Sequence, residues 1–151
     1  MMRNSPNPAA ERRSIVDPVT FHPHCVVCGH DNPHGLGLQF VPSEDGLSVS
    51  AAFTCSEPFQ GYAGLLHGGV VSAMLDGAMV HCLFRAGRVA YTGSLEVRFL
   101  QPVIVGRNAI VTARLDTSRG RMHILSATLE QGGETKAEAV GKFVEGLRSR
   151  D

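Results

Sequence analysis

The segment from Leu66 to Ala78, Leu-His-Gly-Gly-Val-Val-Ser-Ala-Met-Leu-Asp-Gly-Ala, carries the residues of this chain best suited to chemistry. Gly68 and Gly69 open a run whose apolar positions, Val71, Met74, Leu75, Ala78, Cys82 and Leu83, recur at helical spacing. A glycine pair at a helix start leaves the first backbone N–H groups open to close approach by a carbonyl or an anion. Asp76 puts a carboxylate inside the same apolar helix, where it is costly unless it is paired or used. Gly69 and Asp76 share a helix face but stand roughly 10 Å apart along the axis, too far for one small carbonyl to touch both. A second helix lying antiparallel across a two-fold axis would bring its glycine N–H groups to this Asp76, and the small residues Ser72, Ala73 and Gly77 would permit that approach. The same spacing fits equally well an Asp76 bonded to a neighbouring backbone group, with Gly68 and Gly69 forming only a tight turn.

The elements that must position these groups follow from periodicity. The helix is predicted over 68–84, with Gly87 ending it. Before it, alternation over Leu36, Leu38 and Phe40 and over Leu47, Val49, Ala51 and Phe53 predicts two strands joined by the turn Ser43-Glu-Asp-Gly46. After it come four more strands, Ala90 to Val103, Asn108 to Thr117, Met122 to Gln131 and Glu134 to Glu145, with hairpin-length links. Two strands, one helix and four strands make an α+β protein with an antiparallel sheet packed on a single helix. Residues 1–20 read as a flexible N-terminal arm rich in proline, and 21–147 as one domain.

Composition narrows the functional classes. The 14 Lys and Arg balance the 14 Asp and Glu, so no basic excess exists to recruit nucleic acid through its phosphates. A 43% hydrophobic content over 151 residues excludes disorder as the main state and suffices for one buried core. No apolar run reaches the roughly 18 residues of a membrane-spanning helix, and the start carries no signal-like apolar stretch, so a cytoplasmic location and reduced thiols at Cys25, Cys28, Cys55 and Cys82 are expected.

With these elements in place, the sequence resembles the hotdog-fold acyl-CoA thioesterases of the 4-hydroxybenzoyl-CoA and phenylacetate-pathway type. Three pieces carry the likeness: His67-Gly68-Gly69 with an acid nine residues after the histidine, at Asp76; the strand Tyr91-Thr92-Gly93-Ser94-Leu95-Glu96-Val97-Arg98-Phe99-Leu100-Gln101-Pro102; and the lead-in Cys25-Val-Val-Cys28-Gly29 with Asn32-Pro33 and Gly35-Leu36. Together they span roughly Phe21 to Glu145. The resemblance implies a sheet wrapped around one long helix, hydrolysis of an acyl-CoA thioester, no cofactor beyond the CoA of the substrate, and a homodimer or dimer of dimers with sites at the subunit interface. It implies Asp76 as general base or nucleophile, Gly68 and Gly69 N–H groups polarising the thioester carbonyl, Thr92 placing the water and His67 shaping the turn. Relatives often have Asn or Gln six residues before the histidine; here that position is Gly61, with Gln60 beside it as the substitute. A non-catalytic acyl-CoA-binding or regulatory protein is the alternative. A hotdog dehydratase is the second enzymatic option, but the histidine and acid arrangement of that branch is not evident.

Other constellations have plainer readings. Cys25 and Cys28, with His22, His24, His30 and His34 nearby, have the residue types of a zinc site, but the histidine spacing is irregular, so a structural turn without metal is preferred. Cys82 reads as a core thiol. Arg119 and Arg121 flank Gly120 in a turn; solvated charges are the simpler reading, and contact with the phosphates of CoA is the functional one. Glu96 and Arg98 read as solvated or paired. Phe53, Phe59, Tyr62 and Met79 are the side chains expected to set the depth of an acyl pocket.

Overall fold

The computed structural model describes residues 14–146, so residues 1–13 of the expected arm and residue 147 of the expected domain lie outside the described residues. A short helix, α1 (Pro18–Phe21), comes first. Asp17 caps it by accepting from the Val19 N–H at 3.0 Å, and proline suits its first turn, where no N–H is needed. The Val16 N–H donates to the Phe84 carbonyl at 2.9 Å, fastening this segment to the end of the long helix.

The sheet has six strands: β1 (Val41–Pro42), β2 (Ser48–Thr54), β3 (Ala90–Phe99), β4 (Asn108–Arg119), β5 (Met122–Gln131) and β6 (Glu134–Glu145), with one long helix, α2 (Gly68–Arg85). The strand order is β1-β2-β4-β5-β6-β3 and every pair is antiparallel. β5 shows the period most plainly: His123, Leu125, Ala127, Leu129 and Gln131 are buried while the residues between them turn outward. The sheet closes on α2, whose Met74, Leu75, Ala78 and Met79 are fully buried, beside Val111, Leu125, Leu129 and Phe143. This is the hotdog arrangement, a sheet wrapped around one helix. Among the described residues no helix is long and apolar enough to cross a membrane.

The helix is wrapped on more than one side. Its buried set includes Gly77, where a β-carbon would lie 2.6 Å from Val27 Cγ1, so the loop before the sheet rests directly on that glycine. Gly77 is therefore covered by its own chain and is not open to a second helix, which corrects the sequence expectation at that position. At the other end Ala86 caps α2 and Gly87 turns the chain at φ 72°, as the sequence predicts.

The first strand departs from expectation. Leu36 to Phe40 lies outside the sheet, with Gly37 turning the chain at φ 66°, and only Val41–Pro42 joins the ladder. The Leu36 and Leu38 N–H groups instead donate to the carbonyls of Val26 and Val27, at 2.7 and 2.9 Å. Alternation reports which side chains face the core; it does not say whether the backbone pairs with a strand or a loop.

Candidate active site

The start of α2 is built by His67. Its backbone is extended (φ −62°, ψ 135°), its carbonyl accepts from the Val70 and Val71 N–H groups, and its Nδ1 accepts from the Gly69 N–H at 2.8 Å. His67 thus bonds locally and engages the Gly69 donor. The Gly68 N–H has no acceptor among the described residues. A β-carbon at Gly68 would meet only the Phe99 ring, at 3.5 and 3.7 Å, so the approach to this donor runs past the end of β3.

Asp76 lies two turns further along α2, half-buried, and the Thr92 hydroxyl donates to its Oδ1 at 2.6 Å. A short bond to an ionised acceptor is the strong kind. It holds the carboxylate in one orientation and leaves Oδ2 with no protein donor among the described residues. A concavity of about 270 Å³ opens beside the pair, with Phe21, His22, Val80 and Tyr91 among its walls. Burial lowers the His22 pKa, and the charge of Asp76 opposes that shift.

Gly68 opens onto different space. A concavity of about 690 Å³ is bounded by Gln60, Gly61, Tyr62, Leu65, His67 and Pro102, and a neighbouring one of about 390 Å³ by Val71, Phe99 and Val103. The structure therefore brings Asp76 to Thr92, and His67 to Gly68, Gly69, Gln60 and Gly61, but keeps the two groups in separate pockets of one chain. Gln60 uses its Oε1 to accept from the Gly64 N–H at 3.1 Å, closing the loop around the larger cavity. Gly61 packs flush against His67, whose Cδ2 would be 3.2 Å from an added β-carbon. Of the four side chains expected to set pocket depth, Tyr62 lines this cavity, whereas Phe53 and Met79 are buried in the core and Phe59 meets the Phe53 ring edge-on.

Arg119 ends β4 and Arg121 stands in the β4–β5 turn. The Arg121 Nε donates to the Glu145 carbonyl at 3.1 Å, and Glu145 pairs with Ala90, so the turn sits at the Asp76–Thr92 end of the sheet. Arg119 is exposed and its side chain has no partner among the described residues. Arg98 pairs with Glu138 at 3.2 Å on the outer face, and Cys82 is buried.

Two groups have neighbours that residue type does not reveal. His22 joins both the Asp76 pocket and the cysteine pair: its Nδ1 lies 3.6 Å from Cys28 Sγ, and atoms of His22, Cys25 and Cys28 come within 4.8 Å of one another. Burial, with Cys25 beside it, pushes the Cys28 thiol up to about 12, away from the range of reactive thiolates. His123 is fully buried, bonded to the Ser118 hydroxyl at 2.8 Å and to Glu145 Oε1 at 2.9 Å, with Arg88 on the same carboxylate at 2.8 Å. The alternation of β5 marks His123 as inward-facing; nothing in the sequence marks its partners.

Comparison with known proteins is consistent with this geometry. Residues 63–138, which hold α2, β3, β4, β5 and the first part of β6, match the model of the thioesterase superfamily. The chain is 31% identical over 114 residues to a protein named acyl-coenzyme A thioesterase THEM4 from Bos taurus, covering 73% of this chain and 47% of that one. It spans about half the length of the curated relatives it matches. Among solved structures, the PaaI protein of the E. coli phenylacetic acid degradation operon superposes with a TM-score of 0.68 at 20% identity, over 73% of this chain and 84% of that one. A Streptococcus mutans protein determined bound to acetyl CoA gives 0.67 at 17% identity, over 75% and 91%. By the match that spans its helix and the strands that follow, this chain belongs to the thioesterase superfamily.

Proposed function

We propose that this chain hydrolyses acyl-CoA thioesters in a homodimer whose sites are each shared between two chains. The observation that carries this reading is the placement of the two half-sites along β3. That strand is an edge of the sheet, ten residues long and largely exposed, with unpaired backbone groups along one side. Thr92, bonded to Asp76, lies near its start, and Phe99, against Gly68, lies at its end. Antiparallel pairing of β3 with its copy across a two-fold axis would set the Thr92 end of one chain beside the Phe99 end of the other. Asp76 would then face the partner subunit's Gly68, completing a site that neither chain holds alone.

In such a site the partner subunit's Gly68 N–H, at the positive end of α2, would polarise the thioester carbonyl and stabilise the oxyanion formed on attack. Asp76, oriented by Thr92, would take a proton from water through its second oxygen as that water adds to the carbonyl carbon. Collapse of the adduct breaks the C–S bond, and the departing thiolate takes the proton, giving a free acid and CoA. Gln60 would shape the entry loop, and Arg119, whose side chain has no partner among the described residues, would be available to the phosphates of CoA. The likeness to a protein determined with acetyl CoA supports the substrate class.

The test is turnover of a panel of aliphatic and aryl-CoA esters, followed by release of CoA thiol. The wild-type protein should turn over at least one ester. Asp76→Asn should lower kcat by about 10² or more, and Thr92→Val by about tenfold, both with the fold kept. Tight binding of the esters with no turnover would favour a non-catalytic acyl-CoA-binding protein; undiminished turnover by Asp76→Asn would remove that residue from the mechanism.

A further inference from the structure

The loop between α1 and β1 gathers three groups that the hydrolytic reading leaves unused. His22 ends α1, and Cys25 and Cys28 follow at three-residue intervals. All three are half-buried, and one nitrogen and two sulfurs lie within 4.8 Å of one another. Both cysteines are free thiols.

The backbone around them is shaped to hold the sulfurs together. The Val27 N–H donates to Cys25 Sγ at 3.3 Å, a bond that strengthens when the sulfur carries negative charge. The Gly29 N–H donates to the Cys25 carbonyl at 2.9 Å, closing the turn, and a β-carbon at Gly29 would lie 2.3 Å from the Cys25 nitrogen. Only glycine fits directly after the second cysteine, so the turn has one shape. Val27, between the cysteines, is 5% exposed and lies against Gly77, so this turn is anchored on α2 and is not a loose surface loop. Behind His22, its ring 6.5 Å away centre to centre, the buried His81 has an Nε2 with no partner among the described residues.

Two thiols and an imidazole at this separation make a soft, borderline donor set, the kind that selects zinc over magnesium or calcium. We propose that His22, Cys25 and Cys28 form a zinc site with three protein ligands and a fourth position open to water or another small donor. Binding displaces the two thiol protons, giving a Zn²⁺ held by two thiolates and a neutral imidazole. The ion would tie α1 to the Cys25 turn. Because Phe21 and His22 also wall the Asp76 concavity, it would fix one side of that pocket. Sequence spacing favours a plain turn here because the remaining histidines are irregularly placed; the fold supplies His22 through the end of α1.

The test is titration of the full-length, reduced protein with Co²⁺ alone. The site predicts one ion per chain, with near-ultraviolet sulfur-to-cobalt charge transfer and the visible bands of a tetrahedral ion, both abolished by one equivalent of Zn²⁺. Cys25→Ser/Cys28→Ser should lose the charge-transfer band, and His22→Ala should weaken binding by roughly tenfold or more. Reduced wild-type protein that shows no such band would overturn the proposal, whatever the variants do. So would a band of full intensity in the folded double variant, which would place the ion on Cys55 or Cys82. Hydrolytic activity is not the readout, so this test fails or succeeds independently of the thioesterase assignment.

Discussion

A site divided between two chains can be tested by splitting its defects. Asp76→Asn removes the base and leaves the start of α2 intact. Gly68→Val acts on the other half: an added β-carbon there meets the Phe99 ring at 3.5 and 3.7 Å, ordinary contact distances, so the backbone need not move and the new methyl groups occupy the approach to the free N–H. Gly69 is the poorer choice, since its β-carbon would press on His67 Nδ1 at 3.1 Å and disturb the cap. Each homodimer carries a defect in both sites and should retain about 1% of wild-type turnover or less. In the mixed dimer, one site combines the two defects and the other has neither. Dimers assembled at random from equal parts are about half mixed, so activity per chain should return to about one quarter of wild type, and an isolated heterodimer to about one half. Two affinity tags isolate the heterodimer, mass spectrometry verifies it, and release of CoA thiol measures it. Were Asp76 and Gly68 to serve one substrate within the same chain, each site of the mixed dimer would keep one defect. A verified heterodimer no more active than its parents would therefore refute the shared site.

Two further outcomes test the surrounding structure. Gly77→Ala should destabilise the protein by about 1–2 kcal/mol, because its β-carbon would sit 2.6 Å from Val27 Cγ1; in a Val27→Ala background the same change should turn neutral or stabilising as helix propensity takes over, read from urea unfolding. Burial lowers the pKa of His81 from 6.5 to about 4, so between those values the unfolded chain binds a proton that the folded one does not; stability should fall as pH drops through that window, with a shallower slope in His81→Phe.

The helix and β4, β5 and β6 were legible because each buries a face with a clear period, and β3 through its alternation alone; their bounds in the fold differ from the sequence expectation mainly at the ends of β3 and β4. Asp76 stood out because a carboxylate on an apolar helix face needs a reason. Its hydrogen bond to Thr92 could not be read from spacing, since it depends on which strand of the sheet passes that turn of the helix. The engagement of the Gly69 N–H by His67 was likewise hidden, because a histidine cap depends on ring orientation and not on residue type. The segment around Leu36 was misread for a related reason: its alternation is real, but its hydrogen bonds go to residues 26 and 27, which carry no pattern of their own.

The strand order has a consequence for how the chain closes. β4, β5 and β6 are neighbours both in sequence and in the sheet, joined by turns at Gly120 and at Gly132 and Gly133. The outer pairings, Phe53 with Ala109 and Ala90 with Glu145, each bridge more than fifty residues. Loop-closure entropy therefore favours a nucleus in the C-terminal meander, with β2 and β3 arriving afterwards on opposite flanks. Substitutions such as Ala127→Gly in β5 should slow folding, whereas Val97→Ala in β3 should mainly hasten unfolding; the reverse pattern in stopped-flow kinetics would exclude this order. On that order Thr92 reaches Asp76 only after the meander has formed, and the edge offered to a second chain is a late surface of the fold.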